Sequence, residues 1–429
     1  MNYASFLESK RRAAPVAGIE SADIELHPSL FPHQDEIVRW SLRRGRAAVF
    51  ADTGLGKTAM QLQWAKHISD RTLILAPLSV ARQTVREARR LDLNVQYVRN
   101  QEHVNGDGIW ITNYEMAHHF DASTFGAVVL DESSILKNHT GSTRTQLINQ
   151  WSSTRYRLAC TATPAPNDVT ELCNHAEFLG VMPRNEMLAA YFVHDDEGWR
   201  LKGHAVIPMY RWMASWAIAV RRPSDLGHDD SLYDLPPLNI HGEIVQVEMK
   251  PDDQLFATDL GGIGGRSAVR RSTLEARAER AIGIAQRPEQ WIVWCGLNDE
   301  ANTIAAALGD DAVNVEGSWT PEAKAEALEA FQDGQIRVLV TKPSIAGFGM
   351  NFQNCHQMIF CGVNDSYEAY YQAVRRCWRF GQTSPVDVHI VVSELEQQIV
   401  ENVRRKESEA ANMTAQLVAA MRQERESND

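Results

Sequence analysis

Lys57 and Thr58 close the segment ADTGLGKT, whose residue types suit one task, the holding of a polyphosphate. Gly54 and Gly56 let the backbone bend so that its N–H groups face phosphate oxygens. Lys57 brings a mobile positive charge to the outer phosphates, and the Thr58 hydroxyl is a ligand for Mg2+. Thr53 and Leu55 complete the loop, and Ala51 stands where the general motif opens on glycine. A second chemical pair, Asp131 and Glu132, ends the apolar run AVVL. Phosphoryl transfer to water needs one carboxylate on the metal, here Asp131, and one on the attacking water, here Glu132. An Asp-Glu pair at a strand end is otherwise a helix cap or a surface turn. Downstream of a phosphate loop, the chemical reading is preferred.

Other segments gain meaning from their order. Gln34, in LFPHQDE upstream of the loop, carries an amide that can pair with a donor and an acceptor on adenine. Thr161 and Thr163, in CTATPAPN, could bridge the carboxylates to a second domain; a capping Thr-Pro turn is the alternative. Gly347 and Gly349, in VLVTKPSIAGFGMNF, permit close approach to a phosphate or simply a tight turn. QAVRRCWRFGQ carries Arg375, Arg376 and Arg379. The last two, three apart, are expected on one helical face. Aimed across a cleft they could stabilise the transferring phosphoryl group, an effect worth roughly 10³–10⁵ in rate. A solvated basic helix face is the competing explanation.

Strands and helices must bring these segments together. AAVFA, TLILAP, IWITNY, AVVLDE and YRLACTA read as buried strands separated by stretches of helical length. The alternation resumes with QWIVWCG, IRVLVTKP, QMIFCGV and VDVHIVV. It predicts α/β architecture with two parallel-sheet lobes, and an irregular middle between about Asn167 and Gln290 that supplies helical insertions. Pro236-Pro237 marks the crossing. The expected domains are 1–235, 236–393 and a C-terminal helix and tail, 394–429. Leu395, Ile399, Val403, Met413, Leu417 and Met421 are spaced for a helix packed back on the second lobe. The Gly-rich DLGGIGGRS follows no apolar strand and reads as a surface loop.

The bulk composition bounds the class. A chain of 429 residues, 44% hydrophobic and 23% charged, has room for more than one core. No apolar run is long enough for a membrane span, and the first residues lack the apolar stretch of a signal peptide, so a cytoplasmic location is expected. The six cysteines are scattered and form no CxxC pair, so neither a zinc site nor a disulfide framework is indicated. A net charge of −12 argues against a passive basic coat on nucleic acid, but not against a local groove. Arginines cluster at 39–46, 82–90 and 266–271, each readable as a solvated helix face.

Taken together, the motifs resemble those of superfamily 2 helicases, and specifically the Snf-type DNA translocases. DTGLGKT, DESSILKN, TATPAPN with Leu172 downstream, and QAVRRCWRFGQ stand in family order, as do APLSVARQTVRE, ITNYEMA, VEGSWTPEAKAEALEAF and GFGMNF. The resemblance covers roughly 30–392. The string WAIAVRRPSDLG, then LPPL, and the compact size are most like helicases of bacteriophages and prophages, which would place the protein in a bacterial host cell. The resemblance implies two RecA-like lobes with ATP between them and DNA across both. It implies ATP and Mg2+ as cofactors, with family roles for Gln34, Lys57, Thr58, Asp131, Glu132, Gln372, Arg376 and Arg379. Pro77, Ser79, Thr112, Thr341, Lys342 and Gly347 fall at the family's nucleic-acid contacts. Duplex DNA is the favoured track, single strands or RNA the alternatives, and a monomer suffices. The family's usual Trp is Thr84 here. Ser133-Ser134 replace Ala-His, which removes a relay through that histidine, and Asn364-Asp365 replace Asn-Pro. A strand-separating DNA or RNA helicase is the nearest alternative function. A non-motor P-loop enzyme would leave the second strand set unexplained, and a catalytically silent clamp would not need Lys57, Asp131 and Glu132.

Overall fold

The apolar runs become strands buried on both faces. The computed structural model describes residues 14, 16–137, 141–196, 198–246, 272–346, 351–362 and 367–426. Two compact units result, one of residues 1–233 with 408–429, the other of residues 234–407.

The first unit holds β1 (Arg46–Ala51), β2 (Arg71–Ala76), β3 (Val95–Tyr97), β4 (Gly108–Asn113), β5 (Ala127–Asp131), β6 (Tyr156–Cys160) and β9 (Ala217–Val220) in the order β3-β4-β2-β5-β6-β1-β9. Every pairing is parallel. Parallel strands need crossovers, and helices α1 (Pro32–Arg44), α2 (Lys57–Ile68) and α3 (Leu78–Arg90) cover the sheet. A separate antiparallel hairpin, β7 (Phe192–Asp195) with β8 (Gly198–Leu201), stands apart. The second unit holds β10 (Leu238–Val245), β11 (Trp291–Cys295), β12 (Ala312–Asn314), β13 (Val338–Thr341), β14 (Gln357–Cys361) and β15 (Val386–Ser393), all parallel, in the order β10-β15-β14-β11-β13-β12. The chain is thus α/β with two parallel-sheet lobes, as the alternation predicts.

The middle is more regular than expected. AIAV is a strand: β9 extends the first sheet beside β1, and the helices Leu172–Leu179, Arg184–Tyr191 and Val206–Met213 contribute side chains to the same core. The Pro236-Pro237 crossing is fastened to the second unit, where the Pro236 carbonyl accepts from Trp378 Nε1 (2.7 Å) and the Pro237 carbonyl from Val386 N (2.9 Å). The glycines of DLGGIGGRS lie outside the described residues.

The later turns of the C-terminal helix (Gln397–Glu426) correct the sequence reading, while the side chains of Leu395, Ile399 and Val403 lie outside the described residues. In those later turns Met413, Leu417, Val418, Ala420 and Met421 are buried in the core of the first unit, not the second. The Met421 sulfur accepts from Ala219 N of β9 (3.1 Å), and Arg422 donates to the carbonyls of Asp225 (3.2 Å) and Ser224 (2.9 Å). An amphipathic period shows that a face is buried, not which core receives it. Among the described residues no helix is long and apolar enough to cross a membrane.

Candidate active site

Strand order builds the site. β5, β6 and β1 are neighbours and run parallel, so their carboxyl ends open at one edge of the sheet. Asp131 lies in register with Cys160, which lies in register with Val49. At about 4.8 Å per strand, the acidic pair, the Thr161 turn and the phosphate loop fall within roughly 10 Å of one another.

The loop leaves β1 and enters α2 through Gly54 (φ +92°) and Gly56 (φ +82°), conformations that L side chains rarely adopt. Lys57 Nζ donates to the carbonyls of Ala51 (2.9 Å) and Asp52 (3.3 Å), so it bends over the loop it belongs to. Gln34 braces the loop from α1. Its Nε2 donates to the Leu55 carbonyl (3.0 Å), and its Oε1 accepts from Phe31 N (3.0 Å). One amide proton and one lone pair remain for adenine, so the expected base contact is compatible with a bracing role. A Cβ on Gly56 would lie 2.2 Å from Gln34 Nε2. Gly56→Ala is therefore expected to weaken nucleotide binding at least about tenfold, read by titration with a fluorescent ATP analogue.

Asp131 is buried, and Gln61 Nε2, one turn into α2, donates to its Oδ2 (2.9 Å). Burial first, and then the neighbouring Glu132 charge, push the Asp131 carboxyl up to about 7, against the pull of Gln61 and Lys57. Two carboxylates crowded at a buried strand end call for a cation, and the Thr58 hydroxyl with Asp131 supplies donors suited to Mg2+. Tyr114 Oη donates to the Asp131 carbonyl (2.7 Å) and holds the strand end from the β4 side. Glu132 sits at φ +55°, unusual for a residue with a side chain. Thr161 Oγ1 lies 3.5 Å from Glu132 Oε2 and accepts from Thr163 N (3.1 Å), so the turn after β6 touches the acidic motif. The Ser133 hydroxyl pairs with His175 Nε2 (3.1 Å).

Comparison with known families agrees with this geometry. The model of the SNF2-related domain matches residues 33–192, and that of the helicase conserved C-terminal domain matches residues 276–381. The chain belongs to the SNF2 family of superfamily 2 helicases. It carries both of these domains. Two SNF2 relatives are each called SWI/SNF-related matrix-associated actin-dependent regulator of chromatin subfamily A-like protein 1. The Drosophila melanogaster protein is 20% identical over 86% of this chain and 53% of its own length; the Xenopus tropicalis protein is 22% identical over 89% and 44%. The chain thus spans about half the length of these relatives. The solved Sulfolobus solfataricus SWI2/SNF2 ATPase core in complex with dsDNA is 17% identical, with a TM-score of 0.45, over 92% of this chain and 96% of that one.

In this SNF2 chain the remaining expected residues fall in several places. Gln372 is buried in the helix Tyr367–Val374 of the second unit and accepts from Arg376 Nη2 (3.3 Å). That helix stops at Val374, so Arg376 and Arg379 lie in the turns after it and not on a shared helical face. Arg376 is held there because its carbonyl accepts from Phe352 N (2.8 Å). Arg375 stacks over Tyr371 and Trp378. Thr112 and Thr341 do not offer their hydroxyls to nucleic acid: both side chains are fully buried, and Thr341 Oγ1 donates to the Val315 carbonyl (3.0 Å). Both sit at strand ends whose side chains alternate into the protein. Pro77 caps α3, Ser79 lies in its first turn, and Lys342 precedes the short helix Pro343–Ala346. Thr84 is buried and donates to the Val80 carbonyl (3.0 Å). Gly347, Gly349, Asn364 and Asp365 lie outside the described residues.

Proposed function

We propose that this chain is an ATP-driven translocase that tracks along duplex DNA. One arrangement carries this function: Lys57 and Thr58 on the phosphate loop, Asp131 held by Gln61, and Glu132 touched by Thr161, all at the edge where β1, β5 and β6 end. Thr58 and Asp131 would hold Mg2+, which neutralises phosphate charge when bound. Lys57 would exchange its loop carbonyls for the outer phosphates. Glu132 would orient and take a proton from the attacking water, and Arg376 and Arg379 are the candidates for stabilising the transferred group. Thr161 and Thr163 would report the state of that site to the rest of the motor, a role supported by the contact of Thr161 with Glu132. The track is proposed to be gripped by its phosphate backbone at backbone groups near Pro77, Ser79 and Lys342, which makes motion tolerant of sequence.

The deciding experiment measures ATP turnover with no nucleic acid, duplex DNA, single-stranded DNA and RNA, beside triplex and strand displacement. Duplex DNA is expected to raise turnover most, with triplex displaced and strands left paired. Absence of stimulation by every nucleic acid would sink the motor; strand displacement without triplex displacement would favour an unwinding helicase instead.

A further inference from the structure

His175 is fully buried within the first unit, 42 residues from the serine it meets. Burial lowers its imidazole to about 4, so the ring is neutral at neutral pH. Its surroundings assign the tautomer. Nδ1 lies 3.4 Å from the Glu171 carbonyl, which can only accept, so Nδ1 carries the proton. Nε2 is then an acceptor, and the Ser133 hydroxyl donates to it. The ring packs edge-on against Phe50, the penultimate residue of β1 before the phosphate loop (centroids 5.3 Å apart).

The same bracket reaches the turn after β6. The Glu171 carboxylate accepts from Asn167 Nδ2 (2.9 Å) and Asn167 N (3.2 Å). Segment 161–167 is thereby joined to the acidic motif at both ends: at its start by Thr161 against Glu132, and at its close through Asn167, Glu171, His175 and Ser133. Glu132, the first of these anchors and next in the chain to the second, Ser133, is in the left-handed conformation. Such a conformation is costly for a residue with a side chain and persists only where neighbours over-determine it.

Resting on the function proposed above, we infer that His175 is a positioning residue: through Ser133 it fixes the backbone that aims the Glu132 carboxylate, and it couples that aim to the turn Thr161–Asn167. His175 touches no substrate and acts by holding Ser133.

The test uses the full chain and ATP turnover on duplex DNA for Ser133→Ala, His175→Leu, the double variant and His175→Gln. Ser133→Ala removes one hydroxyl and leaves the packing intact. Each single variant is expected to lower kcat about tenfold, the worth of one neutral hydrogen bond, with KM for ATP within about twofold of wild type. The double variant should fall no further than either single one. It should also regain the thermal stability that His175→Leu loses by stranding the buried Ser133 hydroxyl, while kcat stays low. His175→Gln, whose amide oxygen can accept from Ser133, should recover most of kcat. Full kcat in Ser133→Ala, or a double variant whose loss is the product of the single losses, would overturn the inference and leave the motor function standing. A wild-type chain without turnover on any nucleic acid would overturn both.

Discussion

Glu132→Gln is expected to lower ATP turnover by roughly 10²–10⁴-fold, the usual worth of a positioned general base. The substitution preserves size and leaves an amide oxygen that can still face Thr161 Oγ1, 3.5 Å from the present carboxylate. Asp131 keeps its hydrogen bond from Gln61, and Lys57 is untouched. Removing a neighbouring negative charge also relieves part of the push on the Asp131 carboxyl, which favours its ionised form. Nucleotide affinity should therefore hold or rise while chemistry stops. Single-turnover hydrolysis and equilibrium titration separate the two effects. Retention of more than about a tenth of wild-type turnover would remove Glu132 from the general-base role.

Glu300→Ala is expected to cost the second unit about 3–5 kcal/mol, because it takes from a buried guanidinium its nearest carboxylate. Arg277 and Glu300 are both fully buried and meet at 2.6 Å (Nη1 to Oε1). Burial alone would lower the Arg277 pKa; Glu300 and then Glu396 outweigh it and keep the group charged. The Glu300 carboxylate also accepts from Gly296 N and Leu297 N (both 2.9 Å) as β11 gives way to the helix Asn298–Leu308. Glu396 adds a contact at 3.5 Å and receives Ser393 Oγ (2.9 Å) at the end of β15. Gly362, past the end of β14, has no room for a Cβ, which would come within 2.4 Å of Arg277 Nη1. One ion pair thus gathers the carboxyl ends of three strands. Calorimetry of the full chain should show a melting transition lowered on the order of 10 °C in Glu300→Ala. Replacing the pair together, Arg277→Met with Glu300→Leu, should recover most of it. A shift under about 2 °C for the single variant would show that the charge finds water or another partner.

The phosphate loop and the acidic pair were legible because one short segment carries both the buried strand and the chemistry at its end. Their supports were less so. Gln61 and His175 are polar residues on buried helix faces, in KTAMQLQWAKHI and LCNHAEFL. Polarity on an apolar face announces a partner without naming it, and Asp131 and Ser133 are remote in sequence. AIAV, at four residues, is too short for its period to distinguish a strand from a loop. The spacing of Arg376 and Arg379 implied a helix that in fact stops at Val374, a limit set by tertiary contacts such as Phe352 N on the Arg376 carbonyl. Thr112 and Thr341 fell at the right strand ends, but the direction of each hydroxyl depended on a packing layer that the chain itself does not spell out.

The seating of Met413, Leu417 and Met421 in the first core has a consequence for biosynthesis. Chains fold as they emerge from the ribosome, amino end first. The second unit, residues 234–407, is made whole before residues 408–426 appear. The nucleotide-binding sheet, though translated earlier, therefore completes its core last, and until then the bed of that helix, beside Ala219, is open to water. The first core, though begun earlier in translation, thus receives these side chains only after the whole of the second unit has been made.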